Sequence, residues 1–384
     1  MGQDNKTAAL ILAAGYSSRA PGLKPLLPWG DSTVIETEVR MFCQAGITDI
    51  TVVIGHRADE LMPLLADLPV RPVFNQRYDQ GMFSSVLCGV RDFGPDTHGF
   101  FLLPVDMPLV RSHTVKLLSR AHRKTGAAIV YPVFLGRRGH PPLISARLIP
   151  AVLAWNRPEG LRQLLEQHEA TACEAVVQDE GVLRDIDTLD DYQEMTRRWR
   201  QRHFPTPDEC DAILAKMGTP ADVVRHGRLV SAVAGCLAGC LERAGVALDT
   251  GVISTAGLLH DLAKGRPDHA RYGARILKSL GYPRVAWVVA DHTDVAWTGA
   301  VPLTETTVVY LADKLVQKES IVTLAGRLEH VREIFAANPA ALAAAAERLT
   351  RAQAIAARLE QTVGVSLAQV LTAECRTIPA DEER

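Results

Sequence analysis

The first 200 residues alternate between two periodicities, and that alternation limits the fold more than any other feature. Short apolar runs at 8–12, 50–54, 70–74, 100–105 and 127–131 read as strands. Between them, 33–45 and 58–65 have helical spacing, with Gly46 placed to cap the first, and a further helix begins at 84–90. The run 50–54 is continuous and β-branched, as a parallel strand covered on both faces should be. The expectation is an α/β domain with a mostly parallel, Rossmann-like sheet covered by helices. Sheets of this kind bind ligands at the carboxyl ends of their strands.

A helix over 190–200 closes this pattern. The run His203-Phe204-Pro205-Thr206-Pro207-Asp208 then breaks it, two prolines and a capping aspartate marking a linker and a new helix start. Beyond it the strand signal almost vanishes, and 339–359 reads as one long helix rich in Ala, Arg and Glu. Two domains follow: an α/β domain over 1–200 and an all-α domain over 205–384 with a C-terminal helical extension. The last residues, 380–384, are expected to fray. A chain of 384 residues is in any case too long for one ordinary core.

The bulk properties exclude several function classes. A formal net charge of −2 gives no reason to expect a nucleic-acid partner. No apolar run approaches the ~20 residues of a membrane span. The start, Met1-Gly2-Gln3-Asp4-Asn5-Lys6, lacks the layout of a secretion signal, and Gly2 leads straight toward a strand rather than a lipid-modified arm. The seven cysteines include no CxxC pair, and Cys236 and Cys240 read as packing residues one helical turn apart. A reducing, cytoplasmic setting is expected. The oligomeric state is not readable.

The first strand runs into Leu12-Ala13-Ala14-Gly15-Tyr16-Ser17-Ser18-Arg19, with Lys24 close behind. A buried strand, a small-residue turn with free backbone N–H groups and two cations suit the phosphates of a nucleotide. Gly15 and Asp106 both fall at strand ends, so they are expected to share one site. Ser84 and Ser85 suit a helix N-terminus facing an anion.

These segments resemble the molybdenum-cofactor nucleotidyltransferases, within the GT-A-like nucleotide transferases. The likeness rests on 12–15, Ser18-Arg19, Lys24 and Leu26-Leu27-Pro28. It extends over Asn75-Gln76-Arg77-Tyr78-Asp79-Gln80-Gly81-Met82-Phe83-Ser84-Ser85 and Pro104-Val105-Asp106-Met107-Pro108. Arg138-Gly139-His140-Pro141 is similar to a substrate-side motif of the cytidylyl branch, and Asp185-Ile186-Asp187-Thr188 to the terminal motif. Ala-Ala-Gly, where guanylyltransferases carry Ala-Gly-Gly, points the resemblance to CTP. The chain departs from the family after Arg19, with Ala20-Pro21-Gly22 in place of Met-Gly.

The resemblance implies CMP transfer from CTP to molybdopterin or the molybdenum cofactor, with pyrophosphate released. Nucleotide contacts would come from Leu12, Ala13, Ala14, Gly15, Arg19, Lys24, Asn75, Ser84 and Ser85, and the acceptor contact from His140. Asp106 and Asp187 would hold Mg²⁺, and Arg19 and Lys24 would stabilise the leaving group. A sugar phosphate acceptor, or GTP in place of CTP, is the alternative within the same chemistry. The resemblance also implies a molybdoenzyme apoprotein as recipient of the product.

The helical half carries Leu258-Leu259-His260-Asp261-Leu262-Ala263-Lys264. His226 lies on one helical face with Val230, Val233 and Leu237, and alone it would read as a core histidine. With His260-Asp261 and Asp313 it completes a set that resembles the HD-domain phosphohydrolases. Two imidazoles and two carboxylates suit Mn²⁺, Fe²⁺ or Zn²⁺. The resemblance makes Asp261 and Lys264 catalytic, and places His269 and His292 where two-metal members carry extra ligands. A nucleotide-sensing module without turnover is the other reading of this half.

Overall fold

The computed structural model describes residues 6–157, 160–299 and 301–374. The expected fraying at 380–384 and the reading of Gly2 lie outside them. Contacts divide the chain into two units, 1–202 and 203–384.

The elements of the first unit are, in chain order, β1 (Lys6–Ala13), β2 (Pro28–Trp29), β3 (Ser32–Thr33), α1 (Val34–Ala45), β4 (Asp49–Ile54), α2 (Ala58–Ala66), β5 (Arg71–Phe74), α3 (Met82–Val90), β6 (Thr97–Pro104), α4 (Ser112–Thr125), β7 (Ile129–Phe134), β8 (Arg137–Arg138), β9 (Leu143–Ser145), α5 (Ile149–Ala154), α6 (Gly160–Glu166), β10 (Ala172–Val176) and α7 (Leu189–Arg200). The main sheet runs β10-β7-β9-β6-β1-β4-β5, with β8 paired to β7. β1 is parallel to both β4 and β6, whereas β9 runs antiparallel to β6 and β7. β2 and β3 form a separate short ladder.

The connection pattern creates the site. From β1 the chain moves outward through β4 to β5, then returns to place β6 on the other side of β1. Such a reversal opens a crevice at the carboxyl ends of the two central strands. β1 can sit there because it has no polar residue between Ala8 and Ala13. Its period of two divides those side chains between two cores. Ala9, Ile11 and Ala13 face Val39 and Phe42 of α1 and Leu118 of α4. Ala8, Leu10 and Leu12 face Val86 and Val90 of α3 and Val152 of α5.

The expected helix at 33–45 begins one residue later. Thr33 is its N-cap in a capping box with Glu36, and Gly46 closes it in the left-handed conformation. α3 begins at Met82, two residues before the expected start, so Ser84 lies within its first turn. β7 begins two residues after its expected start and extends to Phe134. The strands β2, β3, β8, β9 and β10 and the helices α4 to α6 have no counterpart in the sequence reading.

The second unit contains α8 (Pro207–Met217), α9 (Ala221–Arg243), α10 (Thr250–Leu259), α11 (His269–Ser279), α12 (Pro283–Asp291), α13 (Glu305–Leu315), β11 (Val316–Gln317), β12 (Ser320–Ile321), α14 (Leu324–Ile334), α15 (Pro339–Val363) and α16 (Leu367–Glu374). Its core forms around Val230, Val233, Leu237 and Leu241 of α9, against Ile253 of α10 and Leu311 of α13. The small hairpin β11–β12 is the departure from an all-helical expectation. Two residues per strand leave no periodicity to read. Among the described residues no helix is long and apolar enough to cross a membrane.

Gly89 lets α3 lie on the sheet. A Cβ there would stand 2.2 Å from Leu10 Cδ1 and 2.9 Å from Val53 Cγ2. Gly89→Val is expected to destabilise the protein by about 1–3 kcal/mol through overpacking. Gly94→Ala, with open space around it, should change stability by less than about 0.5 kcal/mol. Urea unfolding midpoints of the two variants check the contrast.

Candidate functional site

The loop after β1 and the end of β6 meet beside one another. Leu12 pairs with Pro104 in the ladder, and Val105 N donates to Leu12 O at 3.1 Å. On the far side, Ile186 N donates to Asp106 O at 2.8 Å, which brings the 185–188 segment alongside. A cavity of roughly 370 Å³ opens there, lined by the 12–19 loop with Tyr16, and by Lys24, Tyr78, Met82, Ser85, Asp106 and Asp187.

Lys24 stands at the centre of the charge pattern. Its ammonium donates to Asp106 Oδ2 at 2.9 Å and to Asp187 Oδ1 at 3.0 Å. Arg19 lies 3.8 Å from the other Asp187 oxygen. Burial opposes the charge on Lys24, but the hydrogen bonds and attraction of Asp106 and Asp187 prevail and hold its pKa above the ordinary value. Burial together with the negative charges of Asp106 and Asp187 pushes the Asp185 carboxyl upward. Two carboxylates converging on one cation offer the hard oxygen donors that Mg²⁺ takes.

The loop itself is bent at Ser17, whose φ is +53°. Ser17 Oγ accepts from Lys24 N at 3.0 Å and its carbonyl accepts from Ala20 N at 3.2 Å. These bonds tie both ends of the Ala20-Pro21-Gly22 segment to Ser17, with Lys24 turned to Asp106 and Asp187.

Other expected residues are placed differently. Asn75 is buried, and its amide donates to Ser84 Oγ at 2.8 Å and Ser85 Oγ at 3.0 Å. Asn75 and Ser84 therefore build the turn at the start of α3, and of the three only Ser85 reaches the cavity wall. His140 also lies outside that wall, before a cis peptide to Pro141. Burial lowers its pKa.

The sequence reading missed Glu38. It is 1% exposed, and its Oε1 accepts from Met107 N at 3.1 Å. Burial, reinforced by the Asp106 charge, pushes its carboxyl well above the usual range. A signal was available: Glu38 interrupts the apolar stripe of α1, four residues from both Val34 and Phe42.

In the second unit, two glycines set the histidine spacing. A Cβ on Gly227 would lie 2.5 Å from Leu258 O, and one on Gly257 2.8 Å from Ser231 Cα. Their absence lets α9 and α10 touch, and the rings of His226 and His260 come within 5.3 Å. Asp313 from α13 completes the group, its Oδ1 lying 3.3 Å from His226 Nε2 and 3.6 Å from His260 Nε2.

Backbone carbonyls orient three of the rings. Nδ1 of His226 donates to Lys318 O at 2.9 Å, Nδ1 of His260 to Gly257 O at 2.8 Å, and Nδ1 of His292 to Val289 O at 2.7 Å. A carbonyl only accepts, so Nδ1 carries a proton in each ring and Nε2 is the atom turned to the centre. His260 Nε2 is buried there with no hydrogen-bond partner. That orphaned atom, facing two carboxylates, fits a transition-metal ligand.

Among the described residues, two groups have ligand atoms within 4.8 Å of one another: His226, His260 and Asp261, and Asp261, His269 and His292. Asp261 is common to both. Burial disfavours its charge, but the surrounding imidazoles and Lys264, 2.7 Å away, hold its pKa well below the carboxylate range. Lys314 pairs with Asp313 in the same manner. Cys236 and Cys240 take no part; they pack against the helical core.

The first unit has the fold and the charge pattern of a nucleotidyltransferase. The profile of the MobA-like NTP transferase domain matches residues 9–172, and that of the HD domain matches residues 223–317. The chain belongs to the MobA-like NTP transferase family through its first half and carries an HD domain in its second. Molybdenum cofactor cytidylyltransferase of Escherichia coli strain K12 is 28% identical over 196 residues, covering 50% of this chain and 96% of that protein. Nicotine blue oxidoreductase of Paenarthrobacter nicotinovorans is 31% identical over 190 residues, covering 47% and 92%. A probable molybdenum cofactor guanylyltransferase of Bacillus mycoides strain KBAB4 is 27% identical over 142 residues, covering 37% and 68%.

The glycine contact between α9 and α10 gives a test of how the second cluster is built. Gly257→Val is expected to separate the helices and lower metal retention after dialysis. The cost in stability should be about 1–3 kcal/mol. Metal analysis alongside thermal unfolding checks it; full metal retention in a folded Gly257→Val protein would contradict the assignment of helix contact to histidine spacing.

Proposed function

We propose that the chain is a bifunctional enzyme. The domain over 1–200 transfers CMP from CTP to a molybdopterin-type cofactor, and the helical domain over 205–384 hydrolyses a phosphate ester or nucleotide. The observation that carries the first activity is the placement of Lys24 between Asp106 and Asp187 at the rim of the strand-end cavity. The likeness to the E. coli cytidylyltransferase supports the choice of base and acceptor. The enzyme acts in the cytoplasm on small-molecule substrates, and a molybdoenzyme apoprotein is the natural recipient of its product.

In this reading an acceptor phosphate oxygen attacks the α-phosphorus of CTP. The bond to the β-phosphate breaks and pyrophosphate departs. Backbone N–H groups of 13–15 bind the phosphates at the end of β1. Lys24 exchanges its carboxylate partners for the β- and γ-phosphates, and Arg19 meets the same departing charge at the rim. Asp106 and Asp187, released from Lys24, would hold Mg²⁺, which would supply neutralisation of the phosphate oxygens.

In the helical domain, His226, His260, Asp261 and Asp313 would hold one transition metal such as Mn²⁺, Fe²⁺ or Zn²⁺. Asp261, His269 and His292 would hold a second. A metal held there would supply an acidified water. Asp261 and Asp313 fix the charge of the site, and Lys264, at its open edge, receives the substrate phosphate.

Pyrophosphate release tests the first activity. Release is expected with CTP and molybdopterin, and Lys24→Met should lower kcat/KM by about 10²–10³-fold. Release only with GTP, or only with a sugar phosphate, would overturn the substrate assignment. For the second, the purified chain is expected to contain a transition metal and to cleave a phosphate ester in a broad substrate screen. His260→Ala and Asp261→Ala should abolish both properties. Metal binding without any turnover would make the helical domain a sensing module instead.

A further inference from the structure

Asp106 occupies a peptide unit tied down on three sides. Val105 N is bonded to Leu12 O, Asp106 O accepts from Ile186 N, and Met107 N donates to Glu38 Oε1. The first two ties are backbone bonds that the sheet and its flanking segment supply. The third comes from a side chain on α1, 69 positions away.

A glutamate is a costly choice for that tie. A buried carboxyl loses several kcal/mol of hydration unless its oxygens are paired. Here one oxygen is paired and the other, Oε2, is buried without a partner. Val34, Val39 and Phe42 around it on α1 are all buried and apolar, so an apolar residue would pack in its place. Stability alone therefore does not account for Glu38. What an apolar residue lacks is an acceptor for Met107 N–H, the peptide directly beyond Asp106.

We propose that Glu38 is a positioning residue for the Asp106 carboxylate. It anchors Met107 so that the turn after β6 presents Asp106 toward Lys24 and the 12–19 loop. Without the anchor, the peptide after Asp106 is held only on its N-terminal side and by its own carbonyl. This inference rests on the reading of Asp106 as a divalent-cation ligand and identifies what fixes that ligand in place.

Mn²⁺ alone is the probe, followed by electron paramagnetic resonance on the full-length chain carrying Asp261→Asn, which removes the shared ligand of the other cluster. Glu38→Gln keeps an oxygen acceptor and should bind Mn²⁺ within about twofold of the parent. Glu38→Leu and Glu38→Asp, the latter one methylene too short, should weaken binding by about tenfold or more, with the cooperative unfolding transition retained. The Glu38→Asp arm stands by itself where Glu38→Leu does not fold. Parent-like binding in a folded Glu38→Asp protein overturns the proposal, and so does a loss in Glu38→Gln as large as in Glu38→Asp. If Asp106→Asn leaves the parent's Mn²⁺ binding unchanged, the cation reading of Asp106 fails first, and the two failures are told apart.

Discussion

The ladder between β1 and β6 is the constraint from which the first unit follows. Two parallel strands side by side, reached from opposite directions along the sheet, put the ends of both at one crevice. An apolar β1 is required because the strand is covered on both faces. Ala13, Ala14 and Gly15 put short side chains and backbone along the wall of that crevice. The cations and carboxylates then have one place to gather, and their mutual compensation through Lys24 keeps the gathered charge tolerable at the edge of a core.

The second unit solves a related problem with helices. Four histidines and two carboxylates crowd into its interior, and polar groups inside a core need partners. Backbone carbonyls at the ends of α10 and α12 and in the β11–β12 turn take the Nδ1 protons of three rings. The Nε2 atoms of the four rings face the carboxylates of Asp261 and Asp313. Close packing of α9 on α10, possible only because Gly227 and Gly257 lack side chains, gives those nitrogens their spacing.

The alternation of strand and helix, the break near 203–208 and the clustering of chemistry at strand ends were legible because each is local. Arg19, Lys24 and Asp106 could be grouped because strand ends in a parallel sheet share a face. His226, His260 and Asp313 stand out only through their resemblance to the HD-domain pattern, since helical spacing alone gives a core histidine. Asn75 shows the limit of such patterns: its amide turns inward to Ser84 and Ser85. Glu38 escaped because its partner, Met107, lies far along the chain, although a charge within an apolar stripe was a visible anomaly. The hairpin that orients His226 is too short for any period to show.

The central claim is that the crevice between β1 and β6 binds a cytidine triphosphate through the loop ending at Gly15 and through Asp106. The most direct measurement is electron density in crystals grown with CTP and Mg²⁺. The account predicts phosphates against the backbone of 13–15, Lys24 turned from Asp106 onto a phosphate oxygen, and a cation on Asp106. Nucleotide density elsewhere on the first unit, or Lys24 still bridging Asp106 and Asp187 beneath a bound CTP, would contradict it.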